Sequence, residues 1–225
     1  MNQDPNLRTD TAQPLPGNIK VTKRDWLNVA MDLLISDGVA EVKVLTIGNR
    51  LGVSRSSFYW YFKSRKDLLN QLLTEWEDTN TGIMVRHSNM PADTITEAVL
   101  QFFRCVVDPD GFNHQLDFAV REWARRDGAV RRVIDRSDGI RHRAIAAMFE
   151  RFGYATDEAD IRARVLYYQQ IGYYALELGE SLEERLTRAG AYVHCFTGVR
   201  ASTAEIEAFA DYTRRIAADD ALGSP

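Results

Sequence analysis

The chain has little with which to do metal or covalent chemistry. It holds two cysteines, Cys105 and Cys195, in 225 residues. They lie far apart in apolar helical patterns with no CxxC spacing. That predicts reduced, buried thiols rather than a disulfide or a metal site. Its four histidines (His87, His114, His142, His194) show no ligand spacing on one helix. Each is expected at the surface or hydrogen-bonded to a neighbour. The fingerprints GxGxxG, GxSxG and HExxH and the phosphate-binding loop are all missing. No catalysis, cofactor or metal is expected. There is no run of about 18 apolar residues, which excludes a membrane-spanning helix. Residues 1–18 lack the apolar centre of a signal peptide. They are polar and carry Pro5, Pro14, Pro16 and Gly17, so a disordered tail and a cytoplasmic location without a membrane partner are expected. Alternating β-branched runs and internal repeats are absent too, which argues against sheet and solenoid.

Lysine is confined to positions 20–66, and the charge follows it. Residues 18–70 hold nine basic side chains (Lys20, Lys23, Arg24, Lys43, Arg50, Arg55, Lys63, Arg65, Lys66) against five acids. That stretch carries +4, while the whole chain carries −4 and residues 71–225 carry −7. A basic head on an acidic body suits a protein that docks a phosphate backbone with one end. A nonspecific coater of nucleic acid would be basic throughout.

The remaining pattern is helical from end to end. Thr22, with Asp25 three residues on, opens a first helix by a capping box, and Gly38 closes it. Its apolar face is Trp26, Leu27, Ala30, Leu33 and Leu34. A second helix covers about Val44 to Leu51, and Gly52 makes the turn. Ser54 is placed to cap a third, short helix to about Tyr61. Ser64 caps a fourth that buries Leu68, Leu69, Leu72, Leu73 and Trp76. Around Met84 to Asp93 a loop is expected, with a domain boundary just before it. Asp108-Pro109-Asp110-Gly111 breaks a later helix. Further helices are expected at about 129–152 (broken in pattern at Gly139), 157–179, 181–196 and 203–217. The total is about ten helices, an all-α fold. A DNA-binding domain at 19–80 precedes a larger helical domain at 81–225.

The informative stretch is Leu45 to Leu69. Two short helices joined by a glycine turn set the second at a steep angle, so it can enter a major groove. Ile47, Leu51, Val53 and Phe58 are assigned to the core. Arg55, Ser56, Ser57, Tyr59, Trp60 and Tyr61 remain for the outer face, and so many outward aromatics need a partner. The stretch reads Gly52-Val53-Ser54, then Phe58-Tyr59-Trp60-Tyr61-Phe62, then Ser64-Arg65-Lys66-Asp67-Leu68. On these residues the chain resembles the TetR family of bacterial transcriptional regulators. The specific resemblance covers about residues 20–75.

Five positions depart from the family pattern. Lys43 replaces a capping Ser or Thr, so the second helix lacks a side-chain cap. Leu45 and Thr46 replace residues that are often charged. Gly48 stands for a small alanine, permitting close helix crossing at about 1 kcal/mol of helix stability. Arg65 replaces a lysine. The resemblance implies base-edge contacts from Arg55, Ser56, Ser57 and Tyr61. It implies phosphate contacts from Tyr59, Lys63 and Arg65, with Trp60 available for either. Arg55 suits the fork of acceptors on guanine. It also implies a repressor that binds an operator in double-stranded DNA as a homodimer and answers to a small-molecule effector. A DNA-binding dimer without an effector, or an activator, is the alternative.

Two expectations concern the larger domain. The helices at 157–179 and 181–196 are apolar over enough circumference to fill a core and meet a second copy. The helix at 129–152 carries Ser137 and Arg141 on its apolar stripe, which demands either an ion pair or a polar cavity. A bridge to Asp138 or Asp135 is one solution. The other is an effector pocket built from Trp123, Phe102, Phe118, Ser137, Arg141 and Tyr173, taking an apolar or aromatic acid.

Overall fold

Thr22 starts the first helix by satisfying two donors at once. Its hydroxyl accepts from the Asp25 backbone N–H, and the Asp25 carboxylate accepts from the Thr22 backbone. This fixes the entry to α1 (Lys23–Asp37), whose apolar face of Trp26, Leu27, Ala30, Leu33 and Leu34 is buried. Gly38 ends it with a φ of 81°. Next, α2 (Val44–Leu51) begins at Lys43 without a side-chain cap and ends on left-handed Gly52. A methyl group on Gly48 would lie 3.2 Å from the Val53 carbonyl and 3.6 Å from the Trp26 ring. The tight neighbour is thus the carbonyl of the turn after α2, while the α1 ring sits at ordinary contact distance, so the expected close helix crossing is not what calls for a glycine here.

The third helix, α3 (Arg55–Phe58), is one α-helical turn. Tyr59, Trp60 and Tyr61 donate to carbonyls three residues back, so the expected helix to Tyr61 finishes as a tighter coil. Ser54 sits at the N-cap, but its hydroxyl pairs with that of Ser56 at 2.7 Å instead of capping. Phe58 is fully buried, edge-on to Trp26 at 5.3 Å and stacked on Phe62 at 5.1 Å. These rings anchor α3.

The computed structural model describes residues 21–108 and 111–223, with side chains to residue 219. The tail expected at 1–18 lies outside them. After α4 (Arg65–Trp76), a π-helical turn (Glu77–Thr81) leads without a gap into α5 (Gly82–Ser88). The loop expected at Met84 to Asp93 is therefore helix over its first half, to Ser88. Asn80, Thr81, Met84 and Ser88 are buried, and the polar ones find partners inside. Side chains that read as loop residues are thus pointed into the protein.

The rest comprises α6 (Ile95–Val107), α7 (His114–Ala124), α8 (Gly128–Arg151), α9 (Thr156–Ala175), α10 (Leu182–Thr197) and α11 (Thr203–Gly223). The described residues thus form eleven α-helices and no strand. Two expectations change here. The helix α8 runs 24 residues without a break at Gly139, because Ser137 and Arg141 on either side are both held by hydrogen bonds. The helix α9 stops at Ala175 rather than 179, because Glu177 and Gly179 turn to φ of 46° and 61°.

Apolar residues gather into two cores. One joins α1 to α4 with α7 and the start of α8, through Leu116, Val120, Trp123, Val130 and Ile134. The other fills the bundle of α5, α6 and α8 to α11, around Phe102, Ile145, Phe149, Leu166 and Phe196. The first core crosses residue 80, so the N-terminal helices are seated on the larger domain.

Candidate functional site

The helix α3 presents an outward surface because its inward side chain is a large ring. With Phe58 buried, Arg55, Ser56, Tyr59 and Trp60 are left exposed, and Trp60 is 81% exposed. The Arg55 guanidinium lies 6.0 Å from the Tyr59 ring and donates to its hydroxyl at 3.2 Å. Lys63 follows, exposed, and Leu45 on α2 is 64% exposed beside this surface in the chain order. Ser57 is half-buried and donates to the Ser54 carbonyl at 2.7 Å. No fold-level reason exists for a monomer to expose Tyr59 and Trp60 together.

Two members of the expected contact set point elsewhere. Tyr61 is half-buried, and its hydroxyl donates to the Val21 carbonyl at 2.8 Å. Arg65 donates from Nε to the Val42 carbonyl at 2.6 Å and also to the Val39 carbonyl. It bolts α4 to the loop between α1 and α2. In both cases an unsatisfied backbone carbonyl near a loop outbids solvent for the donor.

The six expected pocket residues do not come together. Phe102 is in the second core, Trp123 is in the first, and Phe118 is half-buried. Ser137 is buried and donates to Glu77 at 3.1 Å; Glu77 also takes Arg136 at 2.6 Å. Arg141 is fully buried, and its Nη2 finds no hydrogen-bond partner among the described residues. It donates to Asp117 at 2.9 Å, to the Thr81 hydroxyl at 2.9 Å and to the Tyr167 hydroxyl at 3.1 Å. Its planar face lies against Trp76 and Phe112, at 5.0 and 5.4 Å. The partner is mainly Asp117 on α7. Asp138 is 3.8 Å away, and Asp135 pairs with Arg131 instead.

Arg121 completes the cluster, donating to Asp117 at 2.8 Å and to both oxygens of Asp138. Burial resists ionisation of Asp138, but the Arg121 hydrogen bond and charge outweigh it and hold the carboxyl below its usual range. Burial pushes the Tyr167 hydroxyl up to about 12, so it remains a donor. The Trp76 indole N–H also donates to Asp117, at 2.9 Å. This network ties the end of α4 to α7, α8 and α9.

A cavity of about 70 Å³ sits between α6, α9, α10 and α11, and of the six residues only Tyr173 lines it. Arg185, missed from the sequence, stands beside Tyr173. Its signal was present in the spacing. It follows Leu182 by three and precedes Ala189 by four, which puts it on the flank of that apolar stripe rather than opposite it.

Other expectations also shift. Cys105 is buried, but Cys195 is exposed. His87 and His142 meet backbone carbonyls at 2.8 and 3.3 Å, and His114 stacks on Tyr174. The Nδ1 of His194 is buried without a partner. Among the described residues no metal-competent cluster occurs, and no helix is long and apolar enough to cross a membrane.

Residues 27–72 match the family described as bacterial regulatory proteins, tetR family. A curated relative, the HTH-type transcriptional regulator AcrR of Shigella flexneri, is 32% identical over 62 residues. That match covers 28% of this chain and 27% of the relative. Among solved structures, a TetR-family transcriptional regulator from Marinobacter aquaeolei superposes with a TM-score of 0.60 at 15% identity. It covers 87% of this chain and 98% of that one. A regulator from Saccharomonospora viridis, solved in complex with choline, gives 0.53 at 18% identity, covering 86% and 93%. Similarity at this identity speaks for the fold, and the sequence matches speak for the N-terminal helices.

Proposed function

We propose that this chain belongs to the tetR family of bacterial regulatory proteins, which residues 27–72 match, and that it is a sequence-specific DNA-binding repressor, acting as a homodimer on a palindromic operator and released by a small molecule. The observation that carries the reading is the outward face of α3. Arg55, Ser56, Tyr59 and Trp60 are exposed there on a helix fixed from behind by buried Phe58. Arg55 is the base reader, and Lys63 and Tyr59 meet phosphates. Trp60 packs on the backbone or a sugar. Residues 19–80 form the DNA-binding domain, and 81–225 hold the effector and the second copy.

The dimer reading rests on α9 and α10. Ile161, Val165 and Tyr168 form an exposed stripe on α9, at 58%, 52% and 57%. Tyr192 near the end of α10 and Val199 just after it are also exposed. An apolar face this continuous suits a self-complementary interface about a two-fold axis. Such a dimer presents two α3 helices, hence the palindrome. Effector binding is supported by the cavity between α6, α9, α10 and α11 and by the choline-bound relative. One observation favours an effector-free regulator instead: the charge on the inward stripe, Arg141, is met by Asp117 and Tyr167 of the protein itself.

The test is selection from random duplexes with the purified full chain. A near-palindromic site with two half-sites is expected. Arg55→Ala should lose about 1–3 kcal/mol on that site and relax preference at one base pair. Selection of no consensus, or an Arg55→Ala protein that binds every sequence like wild type, would overturn the reading.

A further inference from the structure

The cavity between α6, α9, α10 and α11 has an apolar floor and one uncompensated charge at its wall. Phe103, Val106, Leu186 and Phe209 supply most of the floor. Glu180 is the acid of the lining, and it is already engaged by Arg188 and by the Tyr173 hydroxyl at 3.2 Å. Arg185 is half-buried in the same wall, with its guanidinium 5.5 Å from the Tyr173 ring. Among the described residues no carboxylate forms an ion pair with it. Its charge is felt nearby: burial, and next the Arg185 charge, push the His114 imidazole below its ordinary range.

A planar guanidinium against an apolar wall gains most from a carboxylate, which meets two N–H groups at once. The space behind it is small. At about 70 Å³ it falls below the roughly 150 Å³ of an apolar cavity that admits benzene. A tail of two or three carbons fits within it, whereas a six-carbon ring does not. We propose that this cavity binds an aliphatic monocarboxylate, its tail among Phe103, Val106, Leu186 and Phe209 and its carboxylate on Arg185. The inference rests on the effector-responsive reading above and places that effector's site away from Arg141. The ligand touches α6 in the core and also α9 and α10, the helices assigned to the dimer. Its binding would therefore bias how the two copies are spaced.

The experiment uses butanoate, butanamide and butylamine with the purified full chain, read by calorimetric titration and thermal melts. Butanoate should bind and raise the melting temperature, with butanamide at least about tenfold weaker. Arg185→Gln should weaken butanoate to the level of the amide while leaving butanamide unchanged, which also shows that the variant is folded. Ala189→Phe, which fills the cavity, should abolish both. Equal binding of the amide or the amine, indifference of butanoate to Arg185→Gln, or no binding at about 10 mM, a weak limit for any specific site, would overturn the proposal. The operator assay separates the two readings. Binding that needs Arg185 but leaves operator affinity unchanged supports the site and defeats effector response. Operator release by another compound while butanoate fails to bind does the reverse.

Discussion

Asp117→Asn should destabilise this protein more than most single substitutions. The carboxylate is fully buried and accepts from Trp76 at 2.9 Å, Arg121 at 2.8 Å and Arg141 at 2.9 Å. The amide keeps the volume and removes the charge. Arg121 retains Asp138 through bonds of 3.0 and 2.7 Å. Arg141 retains only Asp138 at 3.8 Å and the hydroxyls of Thr81 and Tyr167. A buried guanidinium stripped of its close counter-charge costs about 3–5 kcal/mol. Chains of this length lose about 2–4 °C per kcal/mol, so Tm should fall by about 6–20 °C. The double change Asp117→Leu with Arg141→Met removes both charges together with their desolvation cost. It should recover most of the loss, short of about 1–3 kcal/mol for a Trp76 N–H left without an acceptor. Scanning calorimetry at pH 7, with helix content checked by circular dichroism, measures all three proteins. A shift below about 1 °C for Asp117→Asn, well under one kcal/mol here, would refute the reasoning. So would a double variant less stable than the single one.

Three further outcomes are expected. Ile161→Asp combined with Val165→Asp should turn a dimer into a monomer at micromolar concentration by light scattering, and a monomeric wild type would count against the α9–α10 interface. Gly111→Ala should lower Tm by about 1–3 kcal/mol equivalent through crowding, because the new methyl would lie 2.2 Å from the Cys105 carbonyl oxygen; an unchanged Tm would mean that this turn yields freely. For Glu205, burial opposes ionisation, but bonds from Thr94, Thr96 and Ser202 outweigh it and carry the carboxyl from 4.5 down to about 2. A folded pKa below the unfolded one stabilises above pH 4.5, and the benefit is lost as pH falls toward 2. Glu205→Gln should therefore melt lower than wild type near neutrality, with the gap closing across that acid range.

Local chemistry was readable wherever a rule acts over four or five residues. The Thr22–Asp25 capping box, the Gly38 and Gly52 stops and the uncapped Lys43 all stand where the spacing puts them. Phe58 as the buried anchor of α3 was readable for the same reason, since one apolar ring among polar neighbours must turn inward. The exposed face of Arg55, Ser56, Tyr59 and Trp60 then followed by elimination.

What the sequence could not decide were pairings between helices remote in the chain. Periodicity placed Arg141 on an inward stripe, and burial with a partner was among the solutions. That the partner is Asp117, with Thr81 and Tyr167 accepting from the same guanidinium, depends on α7, the π-helical turn and α9 meeting at one point. Nor does anything local show the carbonyls of Val21, Val39 and Val42 that take the donors of Tyr61 and Arg65. The cavity beside Arg185 is likewise built from four helices. By itself the sequence determined which side chains turn inward, because that depends on the period of one helix. Only the tertiary structure decided what they meet there, because a buried charge or donor settles on whichever complementary group the packing brings within about 3 Å.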